Sequence, residues 1–199
     1  NRPRPLSSYF RQRFAQVTNP PIDHLRERDV MSIETLLGAR SPILDEGPEL
    51  AACFELDSFV LYPDAVEALP AAWLSSTFEP GTTLDEALGR VADEAAELSA
   101  EGVTIVLSDR DAGPERLPIP SLLAVATVHH HLVARGLRTR ATLVVDCGDA
   151  REVHDVACLL GYGAEAICPR LALETVAALA AGDRLGGDHP SPADAQRRY

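Results

Sequence analysis

The chain contains no lysine, so all 18 of its basic residues are arginine. Against them stand 30 acidic residues, which leaves a net charge of −12. Phosphate recognition needs concentrated positive charge, and no basic block is present; nucleic acids and anionic membranes are poor partners for such a chain. No apolar run approaches the ~20 residues of a membrane span, and the opening "NRPRPLSSYF" lacks the apolar stretch of a signal peptide. The expected location is therefore cytoplasmic, with no membrane partner. The four cysteines, Cys53, Cys147, Cys158 and Cys168, form no CxxC or other short metal spacing. They read as buried thiols rather than a zinc or cluster site. No GxSxG elbow is present, which removes the α/β-hydrolase reading.

What the sequence does have is alternation. In "TLDEALGRVADEAAELSAEG", Thr83 is an N-cap with Glu86 three residues on, the pattern of a capping box. Leu84, Leu88, Val91, Ala95 and Leu98 make one apolar stripe, and Gly102 suits a left-handed stop. The run "VTIVLS" follows at once and reads as a buried strand. The pattern recurs. "IPSLLAVATVHHHLVARG" is a helix, "RATLVVDC" a strand, "GDAREVHDVACLLG" a helix capped by Asp149, "AEAIC" a short strand and "LALETVAALAAG" a helix. Upstream, "DSFVLY" and "WLSSTF" read as further strands. Alternating strands and helices with continuously apolar strands predict an α/β fold of parallel βα units, their crossovers right-handed. The predicted organisation is an N-terminal helical segment over 1–44 with a Pro-Pro elbow, a βα-repeat domain over 45–182, and a Gly- and Pro-rich linker toward a following domain over 183–199.

Several places invite a chemical reading. His129, His130 and His131 are consecutive, but successive helical residues point about 100° apart, so they do not converge on one ion. His129 shares the stripe of Leu122, Val125 and Leu132 and reads as a hydrogen-bonded core or interface histidine; a zinc role would need His154 as a distant ligand. Loops after parallel strands are where α/β folds place sites, and "LSDR" puts Ser108, Asp109 and Arg110 there. These residues serve either a small-molecule site or a loop-fixing ion pair and domain contact. "GYGA" at 161–164 follows a helix and precedes a strand, the wrong order for a dinucleotide fingerprint, so it reads as a tight turn. "DCGDAREVH" places a helix N-terminus after a strand, an anion site unless Asp149 caps it.

The elbow is "RFAQVTNPPIDHLRE". Pro20 and Pro21 have no N–H to donate, and Asn19 before a proline is pushed toward extended backbone. Carbonyls around Val17, Thr18 and Asn19 are then left at the negative end of a helix, suited to a small donor such as an amine. The bland alternative is a plain helix–helix corner.

Six stretches, "YFRQRFAQVTNPPIDHLRE", "VMSIETLLG", "VLSDR", "PIPSLLAVATVHHHLVARGLRT", "AREVHDVACLLGYGAEAICP" and "RRY", resemble the central domain of glutamate synthase in collinear order. That resemblance implies a degenerate or partial TIM-barrel-like domain with no catalytic set, cofactor or metal of its own. It lies between a glutamine amidotransferase domain, which releases ammonia, and a synthase domain whose FMN and iron–sulfur cluster turn 2-oxoglutarate and ammonia into L-glutamate. Electrons come from a pyridine-nucleotide flavoprotein or ferredoxin. Thr18 and Asn19 match the family's Thr-Asn at the entrance of the ammonia tunnel, where main-chain carbonyls narrow the passage. Asp109, Arg110 and His154 are the expected domain contacts. The chain departs from the family pattern at Asp146-Cys147, where Glu-Thr is more usual, and at Pro169-Arg170, where Pro-Tyr is. The rival function is a stand-alone α/β domain that binds a small molecule at the strand-end loops through Asp109 and Arg110.

Overall fold

Two of the strands are mostly apolar and buried on both sides, so both sheet faces must be covered, and the computed structural model shows how. It describes residues 4, 6–10, 23–38, 53–100, 102–182, 184–185 and 190–199. The chain falls into two compact units, residues 1–33 and 34–199. In the first, a short 3-10 turn spans Leu6–Tyr9 and helix α1 spans Glu27–Val30. Asp23 begins this helical stretch: its Oδ1 accepts from the N–H groups of Leu25 at 3.0 Å and Arg26 at 2.9 Å. Thr18, Asn19 and both elbow prolines lie outside the described residues.

The second unit opens with an antiparallel pair, β1 (Thr35–Leu37) and β2 (Phe54–Leu56), followed by α2 (Pro63–Glu67). The βα series then runs β3 (Ala72–Ser75), α3 (Leu84–Ser99), β5 (Val103–Ser108), α4 (Ser121–Ala134), β7 (Ala141–Asp146), α5 (Val153–Gly161), β8 (Ala166–Cys168) and α6 (Arg170–Ala181). Between β3 and α3 lies β4 (Thr77–Phe78), which pairs antiparallel with β6 (Leu117–Pro118) before α4. Helix α7 (Pro192–Arg198) ends the chain.

Four strands form one parallel sheet in the order β3-β5-β7-β8, the same as their order in the chain. All three crossover helices lie on one face, where Val91 and Ala95 of α3, Val125 and Val128 of α4 and Leu159 of α5 pack on Ile105, Leu107, Leu143, Val145 and Ile167. The alternate strand residues Val106, Val144, Ala166 and Cys168 point the other way, against Leu37 of β1, Val66 of α2 and Leu173 of α6. Sequential parallel strands with the crossover helices on one face are parallel βα units, a pattern compatible with part of a barrel. The opposite face is covered by α2, the β1–β2 pair and α6. The fold class is accordingly α/β, built of parallel βα units.

Three local readings change. "DSFVLY" is not a strand throughout; Val60 makes a parallel bridge to Ile167, with Leu61 donating to Ile167 and Ile167 to Phe59, each at 2.8 Å. "WLSSTF" holds two strands, β3 and β4, that pair in different sheets. The polar 183–199 stretch contains α7, whose Ser191 N-cap accepts from Asp194 N at 3.1 Å. That helix packs on α6 through buried Ala195 and a Gln196 bond to the Leu173 carbonyl. No helix among the described residues is long and apolar enough to cross a membrane.

Candidate site at the strand ends

The loops that follow β5, β7 and β8 converge because those three strands are adjacent and in register. Strand β7 is buried throughout and ends, after Leu143, Val144 and Val145, on Asp146, which has no exposed surface. A buried carboxylate is costly unless it is paired and hydrogen-bonded. Its Oδ2 accepts from Ser108 Oγ at 2.8 Å and from Arg110 Nε at 2.5 Å. Its Oδ1 lies 3.4 Å from Arg170 Nε, an ion-pair distance without a hydrogen bond, and neither atom has another partner. Asp109, also buried, accepts from Gly148 N and Arg170 Nη2, both at 2.7 Å. A Cβ on Gly148 would stand 3.2 Å from Asp109 Oδ2, so only a glycine brings this N–H so close without displacement.

Arg110 extends the network outward. It bonds Glu67 of α2 and lies 5.2 Å over the Trp73 ring, a cation–π distance. Burial works against its charge, but the bonds to Glu67 and Asp146 outweigh that and hold its pKa above the ordinary value. The two cysteines beneath respond the opposite way. Desolvation pushes the Cys147 thiol up to about 12, and burial followed by the Asp146 charge raises Cys168 as well. Both remain protonated at neutral pH and are not activated as nucleophiles.

A cleft of about 480 Å³ opens above this network. Its polar rim carries Asp109, Arg110, Gly148, Asp149, Arg151 and Arg170, and Ile119, Pro120 and Leu171 form an apolar wall. Asp149 does not cap α5 as the sequence suggested. Its Oδ2 accepts from Ser121 N at 3.0 Å, the first N–H of α4, where Pro120 offers no side-chain cap. Helix α5 starts later, at Val153, and Glu152 and Asp155 form its capping box. An anion site on that terminus is therefore displaced by the chain's own carboxylate.

The remaining candidates lie apart from this cleft. His129 Nδ1 accepts from Arg138 Nε at 2.9 Å, and Arg138 also bonds the Ala141 and Gly163 carbonyls and Glu165. His130 meets the His129 ring edge-on at 5.2 Å, and His131 faces Asp93 at 3.3 Å. The three histidines thus diverge. His154 is exposed on α5 with Cys158 Sγ at 3.5 Å. Among the described residues no three metal-ligating side chains converge. "GYGA" is the α5–β8 turn.

Sequence reasoning pointed to Ser108, Asp109 and Arg110, which the fold does bring together. It did not assign a role to Asp146, Gly148, Arg170 or Glu67. One signal was legible, a carboxylate ending a mostly apolar strand. Asp146 and Arg170, the two charged positions that depart from the family pattern, turn out to face each other.

The whole chain, residues 1–199, matches the family described as glutamate synthase central domain. It is 47% identical over 187 residues to the chloroplastic ferredoxin-dependent glutamate synthase of Spinacia oleracea, covering 87% of this chain and 12% of that protein. Ferredoxin-dependent glutamate synthase 2 of Synechocystis sp. is 43% identical over 188 residues, covering 88% of this chain and 12% of its own length. Glutamate synthase (NADH) of Schizosaccharomyces pombe is 40% identical over 195 residues, 90% of this chain and 9% of that protein. The chain thus spans about a tenth of the length of these relatives.

Proposed function

Because the chain belongs to the glutamate synthase central-domain family, we propose that it is a non-catalytic domain of a glutamate synthase. In this reading it connects a glutamine amidotransferase domain to an FMN- and iron–sulfur-bearing synthase domain and lines the passage for ammonia. The observation that carries it is the match of all 199 residues to a domain that forms 12% or less of its relatives. The paired charges at the strand ends support a scaffold role: Asp109 and Arg110 tie their loop to the ends of neighbouring strands and hold a fixed surface for a neighbouring domain, and His154, exposed on α5, is a separate contact. The Thr18 and Asn19 carbonyls, at an elbow whose prolines offer no N–H, form the tunnel entrance.

The test is coupling in the full-length enzyme. Changing both Pro20 and Pro21 to Gly restores two N–H groups and backbone freedom at the elbow. Glutamine hydrolysis should then exceed glutamate formation, whereas the unchanged enzyme keeps the two equal. Full coupling in the double variant counts against the tunnel role.

The strand-end cleft favours a second reading, a stand-alone domain with a small-molecule site at Asp109 and Arg110. Calorimetric titration of the 199-residue chain with glutamine, 2-oxoglutarate and FMN separates the two. Saturable binding that Arg110→Ala abolishes would favour the second.

A further inference from the structure

Most of the charge around the cleft is already engaged. Asp109 accepts with both oxygens, and Asp149 accepts from Ser121. Asp155 Oδ2 accepts from the N–H groups of Arg151 at 2.9 Å and Glu152 at 3.0 Å. The guanidinium of Arg151 is the exception on this rim: it has no hydrogen bond or ion pair among the described residues. Acids outnumber bases 30 to 18 in this chain, so an arginine left over beside so many carboxylates calls for an explanation. Its backbone is not loose. Asp155 holds the N–H, and the Tyr199 hydroxyl donates to the carbonyl. Two aliphatic side chains near it are uncovered: Val153 is 87% exposed and Leu171 43%. A cation on a fixed base, flanked by uncovered aliphatic side chains, has the make-up of an interface anchor rather than of a solvated face.

We propose that this rim seats a segment of a neighbouring domain of the same enzyme. An Asp or Glu of that segment pairs with Arg151, and an apolar neighbour covers Val153 and Leu171. The inference rests on the reading of the chain as part of a larger glutamate synthase. Two observations favour that occupant. Among the described residues Arg151 is the one guanidinium of the rim without a carboxylate partner, so its complement is a carboxylate. About nine-tenths of each relative lies outside the stretch this chain matches, which supplies the surface.

The absence of lysine makes the test direct. In the full-length enzyme, Arg151→Lys keeps the charge and introduces the only side-chain amine within residues 1–199. A zero-length carbodiimide then joins that amine to whichever carboxylate touches it, and peptide mass spectrometry identifies the partner. The expected product links this position to an Asp or Glu outside residues 1–199. A link only to Glu152, Asp155 or another internal carboxylate, or none at all, overturns the proposal. Hydrogen exchange gives a second readout. In the full-length Arg151→Glu variant, amides of residues 148–151 and 170–172 should exchange roughly tenfold faster than in the parent enzyme. Unchanged exchange overturns the proposal. So does protection of the same amides in the parent enzyme by added succinate, which would mark the rim as a small-molecule site open to solvent. Loss of glutamate synthase activity from the parent enzyme would sink the broader reading. Intact activity with only internal links would sink this inference alone.

Discussion

Asp146 illustrates how one side chain can hold three loops. Its carboxylate is wholly buried and meets Ser108, Arg110 and Arg170. Asp146→Ala removes the anion and leaves two guanidinium groups without their central partner. The expected loss is about 3–5 kcal/mol, the size seen when one member of a buried pair is removed, and urea unfolding of the chain measures it. Gly163 is constrained differently. Its φ is +113°, and a Cβ there would lie 2.2 Å from His129 Nδ1. Gly163→Ala combines backbone strain with a clash and should cost about 2 kcal/mol or more, again read by unfolding. His129 itself predicts a pH effect. Burial, then the charges of Arg138 and His130, hold its pKa below the ordinary imidazole value. The unfolded chain therefore takes up this proton at higher pH than the folded one. Stability is complete above the ordinary value and falls as pH drops from there toward the folded pKa. Urea midpoints between about pH 7 and 5 should slope less in His129→Asn, and an identical slope would remove His129 as the cause.

At the scale of elements, the cap of α4 comes from a loop that follows β7. Asp149→Ala should loosen the first turn of α4 by about 1 kcal/mol and leave α5 intact. Faster amide exchange confined to residues 121–123 is the signature, and faster exchange at 153–156 instead would restore Asp149 to α5. Helix α3 shows the opposite case. Its cap, stripe and stop were all legible, because the Thr83–Glu86 box and the Gly102 turn, at a φ of +73°, are made by neighbours in sequence. Helix α7 was not legible. Its stretch is polar and rich in Gly and Pro, and the contact that orders it, Gln196 to the Leu173 carbonyl, joins residues 23 apart.

For the whole molecule, the described structure offers a sheet with a packed core on both faces. Its strand-end cleft has its acidic groups tied up internally. The proposed scaffold role makes a simple prediction. The purified 199-residue chain should carry no stoichiometric flavin and show no glutaminase or glutamate synthase activity. Yellow absorbance near the flavin bands that survives gel filtration would overturn it.

The sequence alone determined the alternation of strands and helices, the Thr83–Glu86 cap of α3, and the family resemblance. These depend on spacing along the chain, and spacing is what a sequence records. It also placed Asp109 and Arg110 after a strand, as the structure does with β5, which ends at Ser108. Only the tertiary structure decided what those residues touch. Arg110 bonds an aspartate 36 residues away and Arg170 one 61 away, because parallel strands bring loops together that the chain keeps apart. The same distance effect moved Asp149 from the helix it precedes to one that begins 28 residues earlier, where an uncapped N–H lay within reach.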